Sequence, residues 1–186
     1  ELNFGIKYKQ EYGSGDFWKS TLSFNSGLIA DKFAFSGSVV RKVGEGVISK
    51  TWTDAWAYYF GASYNINKDN RLEVYAIGAP QRHGQNSYKQ NIASYDSNFA
   101  KSIDGFDVRA INKFKQSPFG RKYNENWNYV DPSYTGKQYW NGEEHDRRDP
   151  NFINEKENFY NKPLVNLNWY SKLSSKLSLY STVYYS

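Results

Sequence analysis

An all-β fold of antiparallel strands is what the sequence predicts, on three observations. Segments of about ten residues alternate apolar and polar side chains, the period-two pattern of a strand with two unlike faces. Aromatic residues make up 19% of the chain, although the hydrophobic fraction is only 39% and the mean hydropathy is -0.83. From the turn at Ala30 to Lys32 onward, the connections between segments run short, longer, short, very long, short, so these short turns collect at one end of the strands.

Each segment carries its own justification. Leu2 to Gln10 places Leu2, Phe4, Ile6 and Tyr8 opposite Asn3, Gly5, Lys7 and Lys9, and Gly13 to Asp16 is a turn signal. Phe17 to Ile29 groups Trp18, Leu22, Phe24 and Leu28 on one face. After the turn at Ala30 to Lys32, Phe33 to Val43 puts Phe33, Phe35, Gly37 and Val39 opposite Ser36, Ser38 and Val40. Asp54 to Ile66 alternates most cleanly, with Trp56, Tyr58, Phe60, Ala62, Tyr64 and Ile66 on one side and Ala57, Tyr59, Gly61, Ser63 and Asn65 on the other. Asn67 to Asn70 turns the chain into Arg71 to Gln81. The alternation lapses over residues 82–161 and resumes in Pro163 to Leu173 and Leu177 to Tyr185. Inside the lapse, Ile92, Tyr95, Phe99 and Ile103 recur at helical spacing, and Val108, Ile111 and Phe114 suggest a further turn.

Seven strands with one apolar aromatic face fit two architectures. A soluble β-sandwich, secreted or attached to a surface and binding glycans through exposed aromatics, would bury that face between two sheets. A transmembrane barrel would turn it to lipid and keep the polar face on the lumen. The shortage of Leu, Ile and Val, the turn asymmetry and an 80-residue connection favour the barrel, because long loops at one rim are normal there and rare in compact domains. No apolar run approaches the ~20 residues of a spanning helix, so membrane residence would be by strands. Seven is fewer than the even count of at least eight in the smallest single-chain barrels, so the expectation is a segment of a larger barrel. Glu1 opens directly into strand-like sequence and Ser186 ends one, which agrees with that expectation.

The stretch from Phe17 to Ile48, continued by Thr51 to Asn86, resembles the barrel of TonB-dependent outer-membrane receptors, in particular the SusC-like group with a carboxypeptidase-regulatory-like leader domain. The likeness covers most of residues 2–90 and, more loosely, Asn126 to Asn128 and Tyr134 to Gln138. It implies an antiparallel barrel of about 22 strands in the outer membrane of a Gram-negative bacterium, in contact with membrane lipid. Residues 2–81 and 163–185 would be wall, and residues 82–161 one long extracellular loop with short helical pieces. The plug and TonB box of the family have no counterpart in the sequence, so coupling to the TonB complex would run through a region outside it. A surface lipoprotein lid and a nutrient ligand (glycan, peptide or chelate) are the other implied partners.

Three residue sets are candidates for function. Arg82, His83, Gln85 and Asn86 offer donors and acceptors where the fifth strand meets the long loop. Trp127, Tyr129, Tyr134, Tyr139 and Trp140 gather aromatic faces among Asn, Gly and Ser, a composition suited to stacking on sugar rings or apolar ligand groups. Trp18, Trp56, Tyr58 and Trp169 are expected as membrane-interface anchors. No metal or other cofactor is expected. The chain has no cysteine and only two histidines, and His145 sits beside Arg147 and Arg148 as well as acids. No nucleophile motif marks an enzyme. The net charge of +5 is spread among acids, which leaves no nucleic-acid footprint.

Overall fold

A computed structural model describes residues 3–126, 137–140, 143–146 and 156–186, the two short middle stretches as backbone only. The chain forms two compact units. One comprises residues 1–44, 53–82 and 159–186, and the other residues 45–52 and 83–158.

The first unit is an antiparallel meander. Its strands are β1 (Phe4–Gly13), β2 (Phe17–Ile29), β3 (Phe33–Gly44), β4 (Thr53–Asn67) and β5 (Asn70–Gly78), followed after the long connection by β10 (Leu164–Lys172) and β11 (Ser178–Tyr185). They pair in the order β1-β2-β3-β4-β5-β10-β11, and the sheet is open, with β1 and β11 at its edges. All seven expected strands are therefore present, within a few residues of their expected bounds. The connections at residues 30–32, 68–69 and 173–177 lie at one end of the strands, and those at 14–16, 45–52 and 79–163 leave from the other.

The expected strand Arg71 to Gln81 is two elements. β5 stops at Gly78, and a separate strand β6 (Gln81–Gly84) begins after Pro80. Proline has no N–H to give to a ladder. Its carbonyl instead accepts a 2.8 Å hydrogen bond from the Trp56 N–H. The stretch expected as loop also holds β9 (Glu157–Tyr160), which pairs with β6, and a hairpin of β7 (Lys137–Trp140) with β8 (Glu143–Asp146).

Register fixes which side chains share a face. Directly opposed residues form continuous rows, for example Ile6, Phe24, Gly37, Phe60, Ala76, Val165 and Tyr185 across all seven strands. The next row runs Phe35, Ala62, Val74, Leu167 and Val183. These rows make one face apolar. The other carries Lys7, Lys9, Thr21, Ser23, Ser36, Ser38, Ser63, Glu73, Asn166 and Asn168. Leu28 departs from expectation. A bulge between Asn25 and Leu28 shifts the register, so Leu28 opposes Ala34 on the polar face while Ile29 opposes Phe33 on the apolar one. One extra residue is enough because the side-chain period is two. Gly27 occupies the bulge with φ +66°; its N–H donates to Asn25 Oδ1, and the Ser26 hydroxyl accepts from the Phe35 N–H. Gly27→Ala, which forces a side chain into left-handed backbone, is expected to cost about 1 kcal/mol in equilibrium unfolding.

Burial is unusual for so large a sheet. Among the described residues the only buried hydrophobic side chains are Ala93 and Ala100, and both belong to the second unit. On the interior strands β2, β3, β4 and β10, many large apolar side chains, among them Leu22, Phe24, Phe35, Trp56, Phe60 and Leu167, are 37–50% exposed. The sheet has an apolar face without an apolar core.

The second unit is built from short elements. A 3-10 turn at Ile92–Ser94 is capped by the Asn91 side chain, α1 spans Ser97–Ser102, α2 spans Ala110–Lys113, and another 3-10 turn spans Gly120–Lys122. The single helix suggested by Ile92, Tyr95, Phe99 and Ile103 is thus broken. Asp96 is extended (φ -154°, ψ 101°) and its carboxylate accepts from the Asn98 and Phe99 N–H groups, so it starts a new helix where the old one would continue.

Candidate functional site

The apolar face of the first unit is the feature that most needs a chemical explanation. Its aromatic residues sort by position along the strands. Tyr12 opposes Trp18, and Trp56 lies one row further in, both rows towards the end with the longer connections. At the other end Tyr64 opposes Phe33 with stacked rings 4.7 Å apart, and Trp169 lies two strands away in the same row through Leu72. Trp169 donates its indole N–H to Asn70 Oδ1 at 3.3 Å, and the Arg41 guanidinium lies 5.1 Å from the Trp56 ring centroid. Trp169 and Trp56 thus each keep an apolar body on the face and a polar contact at its margin. Between the two rows the face carries Leu22, Val39, Gly37, Ala62, Val74, Ala76, Val165 and Leu167 together with the rings of Phe24, Phe35, Tyr58 and Phe60. Trp56 and Tyr64 are eight positions apart, about 27 Å along a strand at ~3.4 Å per residue. All four expected anchors, Trp18, Trp56, Tyr58 and Trp169, occupy this face.

The opposite face gathers groups that sequence reading did not bring together. Arg71, Glu73 and Tyr75 alternate along β5 and point the same way. Arg71 Nε lies 3.0 Å from Glu73 Oε1, and the Tyr75 hydroxyl donates to Glu73 Oε2 at 2.8 Å. Tyr59 stacks on Tyr75 with centroids 6.3 Å apart, Tyr170 meets Tyr180 edge-on at 5.6 Å, and Arg71 sits 4.8 Å from the Tyr170 centroid. Thr182 donates to Asn168 at 2.8 Å, while Asn166 Oδ1 is shielded and has no hydrogen-bond partner among the described residues. The pairing register that assembles this cluster links residues about a hundred positions apart, which no local pattern signals.

Of the first candidate set, His83, Gln85 and Asn86 belong to the second unit and Arg82 to the first. His83 Nε2 lies 3.2 Å from Gln85 Nε2, so these two side chains meet. Backbone bonds hold the segment: the Gly84 N–H donates to the Trp52 carbonyl at 3.0 Å, and the Gln85 N–H to the Lys156 carbonyl at 2.7 Å. Asn86 Oδ1 is buried and has no hydrogen-bond partner among the described residues. Of the aromatic set, Trp127, Tyr129 and Tyr134 lie outside the described residues. Tyr139 and Trp140 fall in β7, and their side chains lie outside them too. Among the described residues no three His, Asp or Glu side chains converge as a metal site would need.

The second unit is held by a residue that sequence reading missed. Asn124 is 1% exposed. Its amide donates to the Ser49 carbonyl at 2.8 Å and to the Gln85 carbonyl at 3.4 Å, and its Oδ1 accepts from the Asn126 N–H at 2.9 Å. Three chain segments are tied by one side chain. On the surface, the Arg109 guanidinium and backbone N–H hold the Asp107 carboxyl below its ordinary range, and Asp107 in turn raises Arg109. The pair therefore keeps its charges and clasps the turn before α2 until pH falls through the lowered Asp107 value.

Comparison with protein-family models, with curated proteins and with solved structures gives no match to any of the three.

Proposed function

We propose that this chain is part of the wall of an outer-membrane active-transport receptor, which binds a nutrient ligand outside and imports it with TonB-coupled energy. The observation that carries the membrane part is the seven-stranded meander whose apolar face is exposed while its unit holds no buried apolar side chain among the described residues. In water such a surface is a large uncovered patch. Against hydrocarbon it is the lipid face, with aromatic rows near both margins of a band about 25 Å tall. The polar face, with its tyrosines, Asn166 and Asn168, then looks into the lumen and offers stacking and hydrogen bonds to a passing ligand. The further wall strands of a complete barrel would pair with β1 and β11, since strand edges cannot face lipid. The TonB-dependent part of the proposal rests on the resemblance of residues 2–90.

The other reading, a soluble glycan-binding sandwich, requires Trp56, Phe60, Phe33 and Phe35 between two sheets. They are 48%, 40%, 38% and 37% exposed. Fluorescence separates the two readings. In phospholipid vesicles, tryptophan emission is expected to be quenched more by lipids brominated near the headgroup than by lipids brominated at mid-chain. Emission indifferent to both lipids would reject the membrane reading. Transport itself is tested in cells: uptake through the receptor that contains this chain should collapse when the membrane potential is dissipated, with surface binding retained.

A further inference from the structure

We propose that the second unit carries a binding site for a small organic anion, a carboxylate joined to an aromatic or aliphatic body. The site goes beyond the transport reading and does not depend on it. A concavity of about 490 Å³ is lined by Ile48, Ile92, Tyr95, Asp96, Phe99 and Arg121, all within that unit. This is the size range of small-molecule sites, and the balance of an apolar wall with a few polar groups is theirs too.

The walls are preformed. The Ser49 N–H donates to the Lys122 carbonyl at 2.9 Å, which ties the segment of Ile48 to that of Arg121. The Ser117 N–H donates to the Ser94 carbonyl at 2.9 Å, and Tyr95 packs edge-on against Tyr123 at 5.9 Å. Little ordering is left for a ligand to impose. Phe99 is nevertheless 55% exposed, an uncovered ring on the wall of a hollow.

Charge selects the ligand class. Asp96 has one carboxylate oxygen committed within the unit, because its Oδ1 accepts from two N–H groups of α1 at 3.1 and 2.9 Å. Arg121 is exposed and, among the described residues, has no hydrogen-bond or ion-pair partner. The free group in the hollow is therefore a planar fork of donors matched to one carboxylate. Asp96 opposes a second anionic group on the same ligand.

The test is titration of the full chain, held in amphipol, with 3-phenylpropionate and with its uncharged analogue 3-phenylpropanol, followed by saturation-transfer NMR against empty amphipol. Saturable binding of the propionate is expected. Arg121→Gln should weaken it about 10- to 100-fold and leave the alcohol unchanged, the scale of one charge-assisted contact. Phe99→Ala should weaken both probes. Both positions are exposed, and unchanged backbone spectra establish that each variant is folded. Absence of saturable binding, or equal affinity of Arg121→Gln for the propionate, overturns the proposal. Neither result bears on whether the sheet spans a membrane.

Discussion

Val165→Arg is expected to lower the stability of the protein in a phospholipid bilayer by about 2–4 kcal/mol, while Ser63→Arg changes it by about 0.5 kcal/mol or less. Val165 lies between Ala76 and Tyr185 in the row of Phe60, midway between the two aromatic rows of the apolar face. A guanidinium there must leave water for hydrocarbon or distort the bilayer around it. Ser63 opposes Ala34 and Glu73 on the polar face, where a new cation meets an acid and, in the proposed barrel, the water of the lumen. Equilibrium denaturation in vesicles reads both variants. The contrast is strong because exposure alone predicts the opposite for a soluble protein. Val165 is 44% exposed, and on a water-facing strand an arginine at that position costs nothing or improves solubility.

Asn124→Ala is the second large effect. It leaves the Ser49 carbonyl and the Asn126 N–H without their partner inside the second unit, and each orphaned buried group costs about 1–3 kcal/mol. Loosening should be confined to that unit. Hydrogen exchange is expected to accelerate over residues 45–52 and 83–126 and to stay slow in β2–β5. Asn124→Asp should be as damaging despite its matching shape, since a carboxylate cannot donate to the two carbonyls of Ser49 and Gln85. Uniform acceleration across the sheet as well would mean that Asn124 holds more than this unit together.

The meander was legible in the sequence because period-two alternation is a local signal. Trp56, Tyr58, Phe60, Ala62 and Tyr64 share a face in any strand, whatever pairs with it. Where one residue breaks the period, the reading failed: Gly27 adds a residue to β2 and moves Leu28 to the polar face. Pro80 likewise splits what the alternation joins, and Asp96 divides a helix whose apolar spacing runs on unbroken. The interior of the second unit was not legible at all. Asn124 looks like any loop asparagine until residues 49, 85 and 126 converge on it, and Arg121 gains meaning only from Ile48 and Phe99 beside it. The tyrosine and arginine cluster on the polar face depends on β5 pairing with β10 across the long connection, a register that only the fold supplies.

The central claim is that the sheet of the first unit spans an outer membrane, with its two ends on opposite sides. Native cysteine is absent, so single cysteines report without background. Ser14→Cys lies in the exposed turn between β1 and β2, and Asp31→Cys and Lys68→Cys lie in exposed turns at the other end of the strands. Each would be placed in the full-length protein and treated with a membrane-impermeant maleimide in intact cells, then after outer-membrane permeabilisation. The spanning sheet predicts labelling of Ser14→Cys in intact cells, with Asp31→Cys and Lys68→Cys labelled only once the membrane is opened. Equal labelling of all three in intact cells would contradict it.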